Sequence, residues 1–255
     1  MEALRPTPEQ ARRAEFGRAL DRIEAEIASG NTDLGALGFW TVVAAIKRDR
    51  VAILELADQA GRIDTAAFRA RVRMRTRPWV GVVSMLAVTT LGFVGIWLAD
   101  TWTGFWSGVA LLGTGVAWSV GWHLPAHAFV GWLGGIRYSD AFLGGPPPPR
   151  PGIKTDYATY LRAEPSMRAW FHASGAIATK LAPFAALACW PSTDAPPWSA
   201  WALVALGALQ IVTDALFSTT SGDWKRFLRE RQVGRDIQRS LSRIQPAAPS
   251  AARSG

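Results

Sequence analysis

The sequence predicts an all-α polytopic membrane protein with four transmembrane helices and a small cytoplasmic N-terminal helical region. Three observations carry that prediction. Charge is segregated: of 28 Lys+Arg and 20 Asp+Glu in 255 residues, only Asp100 lies between positions 79 and 136, and only Lys180, Asp194, Asp214 and Asp223 lie between 169 and 224. The apolar stretches have bilayer length, since about 20 residues rising about 1.5 Å each cross a hydrocarbon core of about 30 Å. The basic residues also alternate between connections, with 14 Lys and Arg before position 79, 5 in 137–168, and none near Asp100 or in 191–197. Positively charged loops stay cytoplasmic, so both termini and the 137–168 connection are expected on the inner side of the cytoplasmic membrane. A purely soluble globule is excluded, although the mean hydropathy is only +0.09.

The N-terminal region, 1–78, opens with Thr7-Pro8-Glu9-Gln10, a capping box with proline at the first helical position. Phe16, Leu20, Ile23 and Ile27 then recur at helical spacing, and Gly30-Asn31 ends that helix. A second helix is expected from about 33 to 60, stopped by Gly61, its apolar part too short to span. Asp64 is expected to cap a basic helix leading to Pro78, whose Arg69, Arg71, Arg73, Arg75 and Arg77 anchor the topology against anionic lipid. The start of the chain has no early apolar run and no small-residue cleavage site, so no removable signal peptide is expected.

The membrane domain, 79–218, holds spans at about 79–99, 103–124 continuing to 136, 169–190 and 198–218. Pro125 is expected to bend or break the second. In the connection, Gly144-Gly145 and the prolines that follow predict an extended strap, and 154–161 a short helix or strand with Tyr157 and Tyr160 near the interface. Arg162 and Arg168 are expected to meet lipid phosphates. The last part, 219–255, reads as a charged helix and a disordered tail. The single cysteine, Cys189, excludes a disulfide framework and leaves histidine and carboxylate as the plausible metal ligands.

Ionisable groups within apolar spans are costly and each needs a partner. His123 and His127, four residues apart, project from one helical face and can converge on one ion. Counted from the outer side, His123 lies about 30 Å deep and Asp214 about 24 Å, so both fall near the cytoplasmic boundary. Lys180 sits at mid-span and is expected to point inward to a carboxylate, backbone carbonyls or water. His172 begins the same span, where an interfacial imidazole needs no special role.

This order of elements resembles the site-2 protease family of intramembrane zinc metalloproteases. His123-Leu124-Pro125-Ala126-His127 stands where that family has HExxH. Gly134-Gly135-Ile136 and Gly144-Gly145 follow in the manner of its short extended segment, Ala173-Ser174-Gly175-Ala176 is similar to its Ala-Gly-Pro turn, and Val212-Thr213-Asp214-Ala215 resembles its Leu-Asp-Gly. The resemblance covers about residues 79 to 230. It implies a zinc ion held by His123, His127 and Asp214. It also implies a defect: Leu124 replaces the glutamate that deprotonates the zinc-bound water, and general acid/base help is worth about 10² to 10⁴-fold. Asp140 and Asp156 are the carboxylates of the connection that can fold back towards the site.

The expected function is that of a weakly active or non-catalytic relative that binds transmembrane segments of a client protein. Two other readings stay open: an ion- or proton-linked transporter using Lys180, Asp214 and the histidines, and a structural or signalling anchor whose soluble helices do the work. Membrane lipids are expected partners and nucleic acid is not; the oligomeric state is open.

Overall fold

Thr7 caps the first helix, α1 (Pro8–Ala28), through the predicted box: its hydroxyl accepts from Gln10 N, and Gln10 Oε1 accepts from Thr7 N at 2.8 Å. The computed structural model describes residues 6–144, 150–217 and 222–244. It is 78% helical.

The expected second helix is two helices, α2 (Phe39–Ile46) and α3 (Arg50–Arg71). They part at Asp49, whose carboxylate caps α3 by accepting from Val51 N at 3.0 Å and Ala52 N at 3.1 Å. Gly61 does not stop α3. A Cβ there would come within 3.0 Å of Ala158, so the glycine serves close packing rather than termination. Asp64 likewise does not cap a helix; it is buried within α3 and ion-paired with Lys154.

α4 (Pro78–Thr101) and α5 (Gly104–Gly121) form an antiparallel hairpin, tied where Thr114 donates to Gly92 O at 3.0 Å and Trp118 Nε1 to Thr89 O at 3.1 Å. α6 (His123–Leu133) follows at once. The break falls at Trp122 and not at Pro125. In the first turn of α6, Pro125 lacks only an N–H that a starting helix leaves unpaired, and it denies Gly121 O its helical donor.

The connection builds a small antiparallel sheet, a departure from a purely helical fold. β1 (Arg75–Thr76), β2 (Tyr138–Gly144) and β3 (Arg150–Thr155) lie in that order, with Arg75 opposite Phe142 and Ala141 opposite Ile153. Most of the proline strap, 145–149, and the tail from 245 lie outside the described residues. α7 (Tyr157–Arg162) leads to α8 (Pro165–Ala188), α9 (Pro197–Phe217) and α10 (Asp223–Ile244).

Among the described residues three helices are long and apolar enough to cross a membrane: α4, α8 with the turn after it to Ser192, and α9. α5, at 18 residues, is not one of them.

The N-terminal helices share one core with the connection. Leu20, Phe39, Ile46 and Ile63 bury themselves against Tyr157, Leu161 and Phe171, each large apolar side chain contributing about 1.5–3 kcal/mol. A buried ion cluster fastens the same region. Glu230 of α10 is fully buried and receives Lys47 Nζ at 2.5 Å, Arg168 Nε at 2.7 Å and the Tyr160 hydroxyl at 3.0 Å. Arg168 is therefore no lipid contact: it is 0% exposed and also donates to Leu161 O and Ala163 O. Arg162 is paired too, with Asp58 at 2.6 Å.

Candidate metal centre

His123 opens α6 and His127 stands one turn further, which sets their rings 4.7 Å apart at 89°. Each ring is anchored through Nδ1 by α8. His127 Nδ1 lies 2.5 Å from Phe171 O, and His123 Nδ1 lies 3.0 Å from Thr179 Oγ1. A carbonyl can only accept, so His127 Nδ1 carries a proton. The Thr179 hydroxyl gives its hydrogen to Gly175 O at 3.0 Å, which leaves it an acceptor for His123 Nδ1–H as well. Assigned from this network, both neutral imidazoles present a bare lone pair on Nε2.

Both Nε2 atoms face the same carboxylate oxygen. Asp223 Oδ2 lies 3.2 Å from His127 Nε2 and 3.7 Å from His123 Nε2. A carboxylate oxygen also accepts only, so three lone pairs converge with no hydrogen between them. The arrangement needs a cation, either a proton on an imidazole or a metal ion. Tetrahedral zinc with bonds of about 2.0–2.1 Å sets its ligand atoms about 3.3–3.4 Å apart. The observed 3.2 and 3.7 Å bracket that value, and all three ligand atoms lie within 4.8 Å of one another. Rings fixed through Nδ1 with Nε2 free match the way ligating histidines are oriented.

Two further features shape the pocket. A Cβ on Gly175 would sit 2.2 Å from His127 Nε2, so only glycine lets α8 pass this close to the ring. Tyr138 of β2 turns its hydroxyl to His127 O and Ala128 O, both at 3.0 Å, and so ties the sheet to α6.

Asp214, the expected third ligand, is elsewhere. It meets Lys180 across the packed faces of α8 and α9, Oδ2 to Nζ 2.5 Å, and Lys180 also donates to Ala176 O at 3.1 Å. An ammonium in an apolar span needs its charge balanced more than the histidines need this particular acid, and Asp223 serves them instead. Asp223 was legible only as the first acid of a charged helix. His172 is not part of the centre: its Nε2 lies 2.9 Å from the Tyr160 hydroxyl, which links it to Glu230. Asp156 caps α7 and Asp140 lies 3.8 Å from Arg69, so neither joins the centre.

Leu124 points away from the metal face. It lines an apolar cleft of about 380 Å³ with Gly81, Met85, Ala141 and Phe142, between α4 and the sheet. No protein-family model, curated protein or solved structure matches the chain.

Proposed function

We propose that this protein is a multi-pass membrane protein of site-2 protease-like build that holds one zinc ion through His123, His127 and Asp223. In this reading α4, the α5–α6 unit, α8 and α9 make four crossings. The centre then lies near the cytoplasmic boundary of the inner membrane, with both termini in the cytoplasm. The observation that carries the metal is the convergence of two imidazole lone pairs and an acid on one point, with each ring held from behind. Zinc is favoured over harder ions because two of the three donors are imidazole nitrogens.

Bound zinc lowers the pKa of a coordinated water towards neutrality. The chain's own residues supply little beyond that: among the described residues no carboxylate other than Asp223 joins the histidines. Leu124 adds apolar surface to a cleft at the place where the resembling proteases carry their base. The reading is therefore of a relative that binds an apolar client segment in the cleft on the Leu124 face of α6 and hydrolyses peptide weakly or not at all.

The test is zinc content by mass spectrometry of detergent-purified protein, with a single-span model substrate assayed in parallel. One zinc per chain, lost in His123→Ala and Asp223→Asn and kept in Asp214→Asn, supports the centre. A wild type that stays zinc-free after reconstitution overturns it. Cleavage as fast as that of an HExxH enzyme, abolished in His123→Ala, would overturn the non-catalytic half alone.

A further inference from the structure

A second cavity, of about 520 Å³, lies beside the metal centre, walled by α2, α3, β3, α7, α8 and α10. It shares Phe171 and His172 with the surroundings of His127, and α10 serves both, through Asp223 at the histidines and Arg226 and Arg229 at the cavity. Four cations line it, Lys47, Lys154, Arg226 and Arg229, against one carboxylate, Asp64. Asp64 is taken by Lys154, and Lys47 is taken by Glu230 behind the wall. That leaves the two guanidiniums. Among the described residues neither Arg226 nor Arg229 has a carboxylate within ion-pair distance, although most cations of this region do.

Three residues apart on one helix, these arginines lie side by side, and like charges at that spacing repel. An anion between them removes the repulsion. A carboxylate has two oxygens and is saturated by one guanidinium fork, whereas a phosphate monoester offers three and bridges two forks. Trp40, Tyr157 and Phe171 line the same cavity, with the Trp40 and Tyr157 rings 5.9 Å apart, so this part of the wall suits a flat or apolar body. The volume is that of a small-molecule site rather than a single ion.

We infer that this cavity binds a phosphate monoester, gripped by Arg226 and Arg229 with its apolar part against the Trp40–Tyr157 wall. The inference stands apart from the zinc proposal, because none of the metal ligands lines the cavity. The phosphate can arrive on a soluble nucleotide or on a lipid headgroup, and the experiment separates these sources.

Full-length protein in a neutral detergent is titrated at low salt with adenosine monophosphate, with inorganic phosphate, and with phosphatidic acid in mixed micelles. Saturable binding of at least one is expected, about tenfold weaker in each of Arg226→Met and Arg229→Met and unchanged in Arg18→Met and Arg22→Met, which alter net charge equally. Binding of the nucleotide alone assigns a soluble ligand, and binding of phosphatidic acid alone assigns a lipid. His123→Ala is expected to lose zinc and keep phosphate binding, so failure of one proposal is visible without failure of the other. Should the arginine variants not fold, phenylglyoxal labelling of wild type gives the answer, with Arg226 and Arg229 protected by the ligand. Absence of saturable binding for all three probes, equal loss in the Arg18 and Arg22 variants, or unprotected arginines would overturn the inference.

Discussion

Asp223 and Glu230 sit two turns apart on α10, seven residues along one face of the helix, yet they do opposite work. Glu230 is surrounded by donors: an ammonium, a guanidinium and a hydroxyl all reach it. Asp223 is surrounded by acceptors, the Nε2 lone pairs of two rings whose protons are committed elsewhere. An acid among donors is complete and serves as a fastener. An acid among lone pairs is incomplete, and in the proposed reading it serves as a ligand.

The contrast predicts different failures. The largest effect is expected for Glu230→Gln, which strands Lys47 and Arg168 as uncompensated buried cations. Thermal and denaturant unfolding in detergent should show a loss of about 3–5 kcal/mol, with zinc content per folded chain retained. Acid should reproduce much of this. Burial raises the Glu230 carboxyl, but Lys47 and Arg168 outweigh burial and hold it at about 2. Between its ordinary value, about 4.5, and about 2 the unfolded chain binds the extra proton, so stability is fully present above that window and falls as pH descends through it. The drop attributable to this group is about 3 kcal/mol, and a pH-independent unfolding midpoint across the window would contradict it.

Asp223→Asn should leave stability nearly intact and weaken zinc by more than the roughly 100-fold typical of a lost outer partner. Thr179→Val tests that outer partner: it frees the His123 ring, and competition with a chelator should report an affinity about 10- to 100-fold lower. Asp214→Asn closes the series, with zinc affinity unchanged and the cost confined to Lys180. A variant at Asp214 that lost zinc as Asp223→Asn does would merge the two acids and break the distinction drawn here.

Local signals in the sequence were strong enough to mark the cap of α1, the apolar helical stretches and the histidine pair. Thr7 and Gln10 are three residues apart, His123 and His127 four, and such spacings are decided within one turn. The third ligand was not legible in the same way. Counting depth along a helix fixes height but not which flank an acid occupies, so it led to Asp214, whereas packing turns Asp214 to Lys180 and brings Asp223 to the histidines. Long-range pairs were hidden for a similar reason: Lys47 and Glu230 meet across 183 residues, and an arginine such as Arg168 beside an apolar run reads as a lipid contact until its partner is seen. The sheet escaped because β1 is only two residues long and has no alternating pattern of its own. Gly61 looked like a helix stop and is instead the contact surface for Ala158.

X-ray absorption of the zinc-loaded protein addresses the ligand set itself. The account predicts one metal per chain with two imidazole nitrogens at about 2.0–2.1 Å and a carboxylate oxygen at about 2.0–2.2 Å, a signal that His123→Ala and Asp223→Asn each remove. A spectrum without histidine scattering, or one that Asp223→Asn leaves unchanged, would contradict it.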